Sequence, residues 1–466
     1  MWIKNAQEVI SKASNPITKE LRQTGLIILE QMYSQLQSSV LLKEKLRLEG
    51  DDLYVGHSIV HLQDYDEILV VGGGKAVVGM IKALEECFPD PDREFTGVVS
   101  VPDSIIMEEG VSSEIALRKA SHPIPDARGQ RATEEMANLL RAATDKTLVF
   151  FLLSGGGSAL MPLPVEGINL EAKLLASKLL LKSGASISEI NTVRKHLSDW
   201  KGGHAAKLAH PATVVSLILS DVIGDRLDVI ASGPTVPDNS TYPDARNVLQ
   251  TYGLWDKVDE TIRKRINLGV RGHIPDTPKI GDVAFRNSIT ELIGNNRSAT
   301  NIVTRVGQEL GFKVMVLTNH MEGEAREVGR FVGAVALQIE RFNEPISSPC
   351  VVVLGGETTV TVEGNGYGGR NQELAFASSQ VLSGTKNTVI ISVGSDGIDG
   401  VTDAAGAIVD GDTKANLSQE GFNFEQTLKQ NDTGTALSRI GNNLITGSTG
   451  TNVADLVLII SKNKFQ

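Results

Sequence analysis

The chain is poor in cysteine, and this shortage excludes two kinds of stabilised fold. Of its 466 residues only Cys87 and Cys350 are cysteines. No Cys-x-x-Cys pair and no Cys/His spacing typical of zinc sites occurs. We therefore predict neither a disulfide framework nor a structural zinc site, and we expect a reducing compartment, the cytoplasm.

Basic charge and long hydrophobic runs are also scarce. The 45 Lys and Arg against 56 Asp and Glu give a net charge of −11, which argues against a general nucleic-acid binder because phosphate neutralisation needs a basic surface. A local basic pocket for a small anion is not excluded. The longest apolar runs, Thr147–Leu153 and Val214–Leu219, are far shorter than the roughly 20 residues of a membrane-spanning helix. Residues 1–14 have no secretory-signal core, so we expect no membrane partner.

Glycine, by contrast, is abundant, with 46 residues that cluster after apolar runs. Short segments rich in Val, Ile and Leu alternate with helical patterns, which predicts an α/β fold with mostly parallel sheets covered by helices on both faces. The predicted strands are 67–71, 97–101, 147–153, 213–219, 289–293, 313–317, 350–354, 388–393 and 454–460.

The length of the chain favours two domains. We predict an N-terminal Rossmann-like, doubly wound domain over 1–240, a connecting region over 241–285 and a C-terminal α/β domain over 286–466. Residues 17–47 have helical periodicity, and this first helix is assigned to the N-terminal domain or packs on the other one. The active site is expected in the cleft between the domains.

Polar clusters directly follow seven of the predicted strands. In open α/β sheets, ligands bind beyond the carboxyl ends of the strands, so we take these clusters as candidate site segments. They are Gly72–Lys75, Ser154–Ser158, Ser220–Asp225, Asn295–Arg297, Thr318–Glu322, Gly355–Glu357 and Gly394–Asp399.

The first cluster is a glycine loop between a strand and a helix. Backbone N–H groups of Gly73 and Gly74 can close on an anion at the helix N-terminus, and Lys75 is placed to touch a phosphate. The loop is not a Walker A motif, because Ala76 follows the lysine, and the third glycine of a dinucleotide fingerprint is replaced by Val77. A tight turn with an exposed lysine is the alternative.

A second glycine loop and a basic helix face extend the candidate phosphate or substrate site. The loop can form an anion nest, although a structural turn is the alternative. Ser158 is disfavoured as a nucleophile because the loop does not match the G-x-S-x-G elbow of hydrolases. A capping box at Ser186 begins a helix with a polar, basic face, for which a solvated surface is the alternative. The residues that we assign to binding are Ser154, Gly155, Gly156, Ser158, Asn191, Arg194 and Lys195.

Carboxylates in the strand-end loops suit metal binding or general-base work. Asp221 or Asp225 suits the base, and Asp225, Asp396 and Asp399 are the residues that we assign to a Mg²⁺ site. Capping of a following helix is the alternative for Asp225, and a series of Asp-Gly turns is the alternative for the last two.

The richest patch is a run of glycines that precedes Arg370, for which a plain surface loop is the alternative. A planar guanidinium suits bidentate binding of phosphate or carboxylate, and we add Asn295 and Glu357 to the binding residues. Phosphoryl transfer needs cations, a metal, a base and exclusion of water. Lys75, Arg370 and the carboxylates supply this set, which predicts phosphoryl transfer with a bound Mg²⁺.

At these residues the chain resembles the glycerate 2-kinase family, whose second half is the MOFRL domain. The resemblance implies ATP-dependent phosphorylation of D-glycerate to 2-phospho-D-glycerate, with Lys75 and Arg370 catalytic and Asp221 a further candidate. The chain has Ser395 and Val401 where the family often has Thr and Pro. The matching stretches include VGGGKA (71–76), SHPIPDARG (121–129), LLSGGGSALMPLP (152–164), NTVRKHLSDWKGG (191–203), SDVIGD (220–225), LGGETTVTVEGNGYGGRNQELA (354–375) and SDGIDGVTDAAGAIVD (395–410).

Two other functions compete with the kinase. Some members of the family carry the name hydroxypyruvate reductase, but the missing third glycine disfavours NAD(P)H binding. The second alternative is a nucleotide-binding regulatory protein. Lys75, Arg370 and the acidic cluster argue against it, because a protein that only binds a nucleotide has no need of a catalytic base. A homodimer is a candidate assembly.

Overall fold

The computed structural model describes residues 1–88, 94–104 and 114–462. The chain divides into two compact units: the N unit, residues 38–293, and the C unit, residues 1–37 with 294–466. This division differs from the predicted boundaries at 240 and 285, because the predicted connecting region lies within the N unit. There Ile262 and Ile266 are fully buried in one apolar cluster with Ile190 and Val193, so the segment belongs to a core.

The helices and strands alternate along most of the chain. The helices are α1 (Ala6–Ser11), α2 (Pro16–Gln35), α3 (Ser38–Lys43), α4 (Val77–Cys87), α5 (Ala127–Ala142), α6 (Gly157–Leu160), α7 (Leu170–Lys182), α8 (Ile187–His196), α9 (His204–Ala209), α10 (Tyr242–Thr251), α11 (Glu260–Val270), α12 (Asn296–Glu309), α13 (Ala325–Phe342), α14 (Arg370–Leu382), α15 (Thr413–Gln419), α16 (Phe424–Lys429) and α17 (Thr433–Arg439). The strands are β1 (Leu46–Glu49), β2 (Asp52–Val55), β3 (Ser58–His61), β4 (Glu67–Gly73), β5 (Phe95–Pro102), β6 (Ile115–Ala120), β7 (Thr147–Leu153), β8 (Thr213–Leu219), β9 (Ser288–Gly294), β10 (Lys313–Met321), β11 (Cys350–Gly356), β12 (Thr388–Gly394), β13 (Gly406–Asp410), β14 (Asn443–Leu444) and β15 (Asp455–Ser461).

The main sheet of the N unit has the order β6-β5-β4-β7-β8-β9. Strands β4, β5, β6, β7 and β8 pair in parallel, and the order is that of a doubly wound Rossmann-type sheet. The predicted α/β class and Rossmann-like sheet are thereby confirmed. The chain reverses its direction of winding between β4 and β7, so the crevice beyond their carboxyl ends is the topological switch point where ligands bind in such folds.

The sheet of the C unit is mixed, and the prediction of a mostly parallel sheet is wrong there. Its order is β10-β11-β15-β12-β13-β14, and β15 runs antiparallel between β11 and β12. Strand β15 is buried along its whole length, and a fully buried strand has the same apolar pattern in either direction. As a result Asp455, at the start of β15, lies opposite both Gly356 and Gly394.

The first long helix is shorter than its predicted range of 17–47. Asn15 caps α2 through its side chain, Pro16 occupies the first turn, and the helix ends at Gln35. Helix α3 and a small antiparallel sheet, β1-β2-β3, follow it. Arg22 of α2 forms a buried ion pair of 2.6 Å with Asp410, which attaches this helix to the C unit.

Among the described helices, none is long and apolar enough to cross a membrane.

Candidate active site

Two glycine loops interlock at the switch point of the N unit. The backbone N–H of Lys75, after β4, donates to the carbonyl oxygen of Gly155, after β7, at 2.9 Å. The N–H of Ala76 donates to Ser154 Oγ at 3.0 Å. The structure therefore brings Gly73, Gly74 and Lys75 together with the residues of the second loop, as ligand binding at this position requires.

Gly156 shows why this approach needs glycine. Its φ of +87° lies in the left-handed region, and a Cβ built there would lie 2.9 Å from the His122 ring and 3.7 Å from Lys75 Cγ. The imidazole and the lysine stem thus both lie against this glycine. Burial, together with the charge of Lys75, lowers the pKa of His122, so the ring is neutral near pH 7. Sequence reasoning did not single out His122, although it lies in the SHPIPDARG stretch.

A chain of hydrogen bonds leads away from the second loop. Lys201 Nζ donates to Ser158 Oγ at 2.9 Å, the two hydroxyls of Ser158 and Ser232 lie 3.0 Å apart, and Ser232 Oγ donates to Asn191 Oδ1 at 3.1 Å. Ala231 and Ser232 have φ values of +49° and +62°, which is costly for residues with a side chain. Such strain accumulates at functional sites, so it supports a ligand-binding role for this chain of side chains.

The basic residues of α8 point to different partners. Lys195 Nζ lies 3.2 Å from Asp238 and 3.5 Å from Asp228, so two carboxylates already compensate its charge. Arg194 instead donates from Nε to Ser177 Oγ at 3.2 Å and lines a small cavity. The sequence assigned both residues to substrate binding, but the geometry favours Arg194.

Asp221 and Asp225 directly follow β8, which neighbours β7 in the sheet. Both are partly exposed, and Asp225 has a φ of +53°. They lie at the same carboxyl edge as the two glycine loops, the position predicted for a base or metal ligand.

In the C unit, Arg370 begins α14 and is held by two carboxylates. Its Nε and Nη2 donate to the two oxygens of Asp455 at 2.5 and 2.8 Å, and Glu357 lies 3.2 Å from Nη2. Burial opposes the positive charge, but the bonds and charge of Asp455 outweigh it and raise the pKa of Arg370. Asp455 is buried and was not identified from the sequence because it lies at the start of a strand rather than after the end of one.

Two other residues that the sequence assigned to the site accept hydrogen bonds from backbone N–H groups at helix N-termini. Asp399 accepts the backbone N–H groups of Asn371 and Gln372 at 3.0 and 2.8 Å, and burial raises its pKa to about 7. Asp399 therefore fixes the start of α14, where Arg370 lies. Asn295 caps α12 by accepting the N–H of Ser298 at 3.0 Å.

Asp396 lies near the Arg370 cluster. A Cβ on Gly394 would lie 3.2 Å from Asp396 Oδ1 and 3.5 Å from Asp455 Oδ1. Within the part of the chain that the structure describes, no three His, Cys, Asp or Glu side chains form a metal cage. Mg²⁺ commonly uses one or two carboxylates together with water and substrate phosphates, and Asp396 fits that role better than Asp399.

Comparison with known proteins places both units in described families. The pattern described as "Domain of unknown function (DUF4147)" matches residues 26–267, and that of the MOFRL family matches residues 350–455. A protein of Pyrococcus horikoshii named glycerate 2-kinase is 38% identical over 96% of this chain and 99% of its own length. A protein of Thermotoga maritima named D-glycerate 2-kinase is 43% identical over 90% and 96%.

The solved structures agree with the sequence matches. The match to the crystal structure of a glycerate kinase from Thermotoga maritima covers 95% of this chain and 100% of the Thermotoga chain. The TM-score is 0.83 and the sequence identity is 39%. A provisionally named hydroxypyruvate reductase of Agrobacterium vitis is also similar, at 38% identity over 84% of this chain and 86% of its own length.

Proposed function

Because the chain belongs to the glycerate 2-kinase family, with its DUF4147 and MOFRL regions, we propose that it transfers the γ-phosphoryl group of ATP to the 2-hydroxyl group of D-glycerate. The observation that carries the proposal is the pair of interlocked glycine loops beside Lys75 at the switch point of the N unit. Backbone N–H groups and a lysine at such a point suit a phosphate chain.

In the proposed reaction, the 2-hydroxyl oxygen forms a bond to the γ-phosphorus while the bond from that phosphorus to the β-γ bridging oxygen breaks and ADP leaves. Asp221 accepts the hydroxyl proton. Lys75 and Arg370 stabilise the charge on the transferred group, which is the main contribution a protein makes to phosphoryl transfer. Within the C unit, Asp455 and Glu357 orient the Arg370 guanidinium.

ATP and Mg²⁺ belong to the proposal, as does a cytoplasmic location. Asp225 and Asp396 are the residues that we assign to the metal, while Gly73, Gly74, Ser154, Gly155 and Gly156 are assigned to the phosphates. When bound, Mg²⁺ would neutralise charge on the phosphate oxygens. We leave Asp399 out of the metal site because both of its oxygens already accept backbone N–H groups.

An end-point assay with D-glycerate, ATP and Mg²⁺ tests this function. Coupling through enolase alone detects 2-phosphoglycerate, and adding phosphoglycerate mutase also reveals 3-phosphoglycerate. We expect a signal with enolase alone. A signal that needs the mutase would keep the kinase but move the acceptor to the 3-hydroxyl. No product in either assay, together with NAD(P)H oxidation by hydroxypyruvate, would replace the kinase with the reductase.

A matched pair of glycine substitutions tests the role of the second loop. Gly156 and Gly167 have φ values of +87° and +83°, but a Cβ meets neighbours only at Gly156. We expect both alanine variants to lose about 1–2 kcal/mol of unfolding free energy through left-handed strain. Only Gly156→Ala should also lower kcat, by at least tenfold, because its methyl group would lie 2.9 Å from the His122 ring and displace it beside Lys75. Equal activity of the two folded variants would contradict this role.

A further inference from the structure

Three basic side chains surround one small cavity in the N unit. The cavity has a volume of about 120 Å³. Lys173 from α7, Arg194 from α8 and Lys201 from the segment after α8 line it. Ser158 and Ser177 add hydroxyl groups, and the remaining wall is largely apolar: Pro123, Pro125, Ala159, Pro162, Leu170 and Leu174. Of the three cations, the sequence assigned only Arg194 to binding.

The two lysines are buried, and one of them makes no hydrogen bond to a described residue. Lys173 is 6% exposed and Lys201 is 3% exposed. Lys201 Nζ donates to the carbonyl oxygen and Oγ of Ser158 at 2.8 and 2.9 Å. Lys173 Nζ makes no hydrogen bond to any residue that the structure describes. A buried ammonium without a partner is costly, so the cavity is built for a group that is negatively charged.

The electrostatics agree with this reading. Burial, with the charge of Arg194, lowers the pKa of Lys173 to about 7. Burial and the charges of Lys173 and Arg194 hold the pKa of Lys201 well below its usual value. Asp199, which is partly exposed, is the carboxylate that opposes the effect at Lys173. An anion in the cavity would restore the charged form of both lysines.

We propose that this cavity binds the carboxylate group of D-glycerate, with Lys173, Arg194 and Lys201 as its recognition groups. The inference rests on the proposed kinase function and names the residues that select an acid as the acceptor. The volume equals about four water molecules of the liquid, which suits a carboxylate with part of a three-carbon chain rather than a triphosphate. Ser158 lies two residues after Gly156, against which the Lys75 stem lies, so a bound acid is close to the phosphate loops.

The cavity predicts that glycerate binding depends on pH. The charged groups that act on Lys173 are Arg194 of α8 and, after that helix, Asp199 and Lys201. A bound carboxylate raises the pKa of Lys173 above its value of about 7 in the free protein, so binding takes up a proton. Affinity is therefore highest at or below pH 7 and falls as the pH rises toward the higher pKa of the complex.

Steady-state kinetics of Lys173→Met and Lys201→Met test the assignment, with Lys178→Met on the exposed face of α7 as the matched control. We expect the KM for D-glycerate to rise at least tenfold in both variants, while the KM for ATP changes less than twofold. The control should behave as wild type. Lys173→Met should also remove the rise of KM with pH, and its Tm should equal or exceed that of wild type because an unpaired buried charge is lost.

Calorimetric titration of D-glycerate and of inorganic phosphate separates the possible failures. Glycerate turnover by wild type with an unchanged KM in both variants overturns the carboxylate site but leaves the kinase. A rise in the KM for ATP alone, or phosphate binding that the variants abolish, overturns it in favour of a phosphate site. Glycerate binding that Lys173→Met abolishes, without turnover by wild type, supports the cavity while the kinase fails. Wild type that neither binds nor converts D-glycerate overturns both.

If Lys201→Met does not fold, Lys201→Arg, which keeps the charge, should retain a KM within about threefold of wild type.

Discussion

Replacing Lys75 by methionine is expected to lower kcat with D-glycerate and ATP by about 10²–10³-fold, while the protein stays folded. The magnitude is that of removing one preorganised group that stabilises transition-state charge. The side chain is only partly buried, and its position is set by backbone bonds, such as that from its own N–H to Gly155, which methionine preserves. We therefore expect Tm to change by no more than a few degrees.

Lys82→Met, in the helix that follows the same loop, is the control for loss of a lysine near this site. It should keep wild-type kcat. Rapid-quench measurement of phosphoryl transfer shows whether the chemical step itself is slowed. A Lys75→Met enzyme with near-normal kcat and a normal melting curve would remove Lys75 from the catalytic set.

Replacing Arg370 by methionine is expected to abolish activity and to destabilise the C unit. As a cation on the transferred phosphoryl group, the arginine should contribute about 10³-fold or more to kcat. Its loss also leaves Asp455, with a side chain only 1% exposed, without its cation. Breaking such a buried pair costs about 3–5 kcal/mol.

The sign of the pH dependence identifies Asp455 as the cause. Without Arg370, burial holds the pKa of Asp455 in the folded state above its unfolded value of about 3.9. The penalty is therefore absent below about pH 4 and grows as the pH rises toward that higher pKa. Urea unfolding should show a larger loss of stability at pH 8 than at pH 5.

The double variant Arg370→Met/Asp455→Asn separates stability from catalysis. It should recover most of the lost unfolding free energy, because the buried Asp455 charge is no longer left without its cation, yet it should stay inactive. Arg330→Met, which removes the exposed pair with Glu327 in the same unit, should cost less than about 1 kcal/mol. Equal destabilisation by Arg370→Met and Arg330→Met would show that the Asp455 pair does not stabilise the unit.

Local sequence was sufficient for the elements that the chain encodes in short segments. The strands before both glycine loops have continuous apolar runs with glycine at their ends, and the structure has them as β4 and β7. Because parallel strands present their carboxyl ends at one edge, the pattern alone placed Lys75 and Ser154 at the ligand-binding edge, and the strand order in the structure made them neighbours. Arg370 likewise lies at the start of a helix, after a glycine run visible in the sequence.

Contacts between residues that lie far apart in the sequence were determined only by the tertiary structure. The antiparallel insertion of β15 between β11 and β12 brings Asp455 to Arg370, 85 positions away, and no local pattern encodes the direction of a fully buried strand. Lys173 and Lys201 are ordinary lysines in the sequence, and only the packing of their segments buries them around one cavity. The sequence by itself determined which loops could hold phosphate. The fold determined which distant charged side chains are buried and paired, and burial and pairing set the electrostatic energies of those side chains.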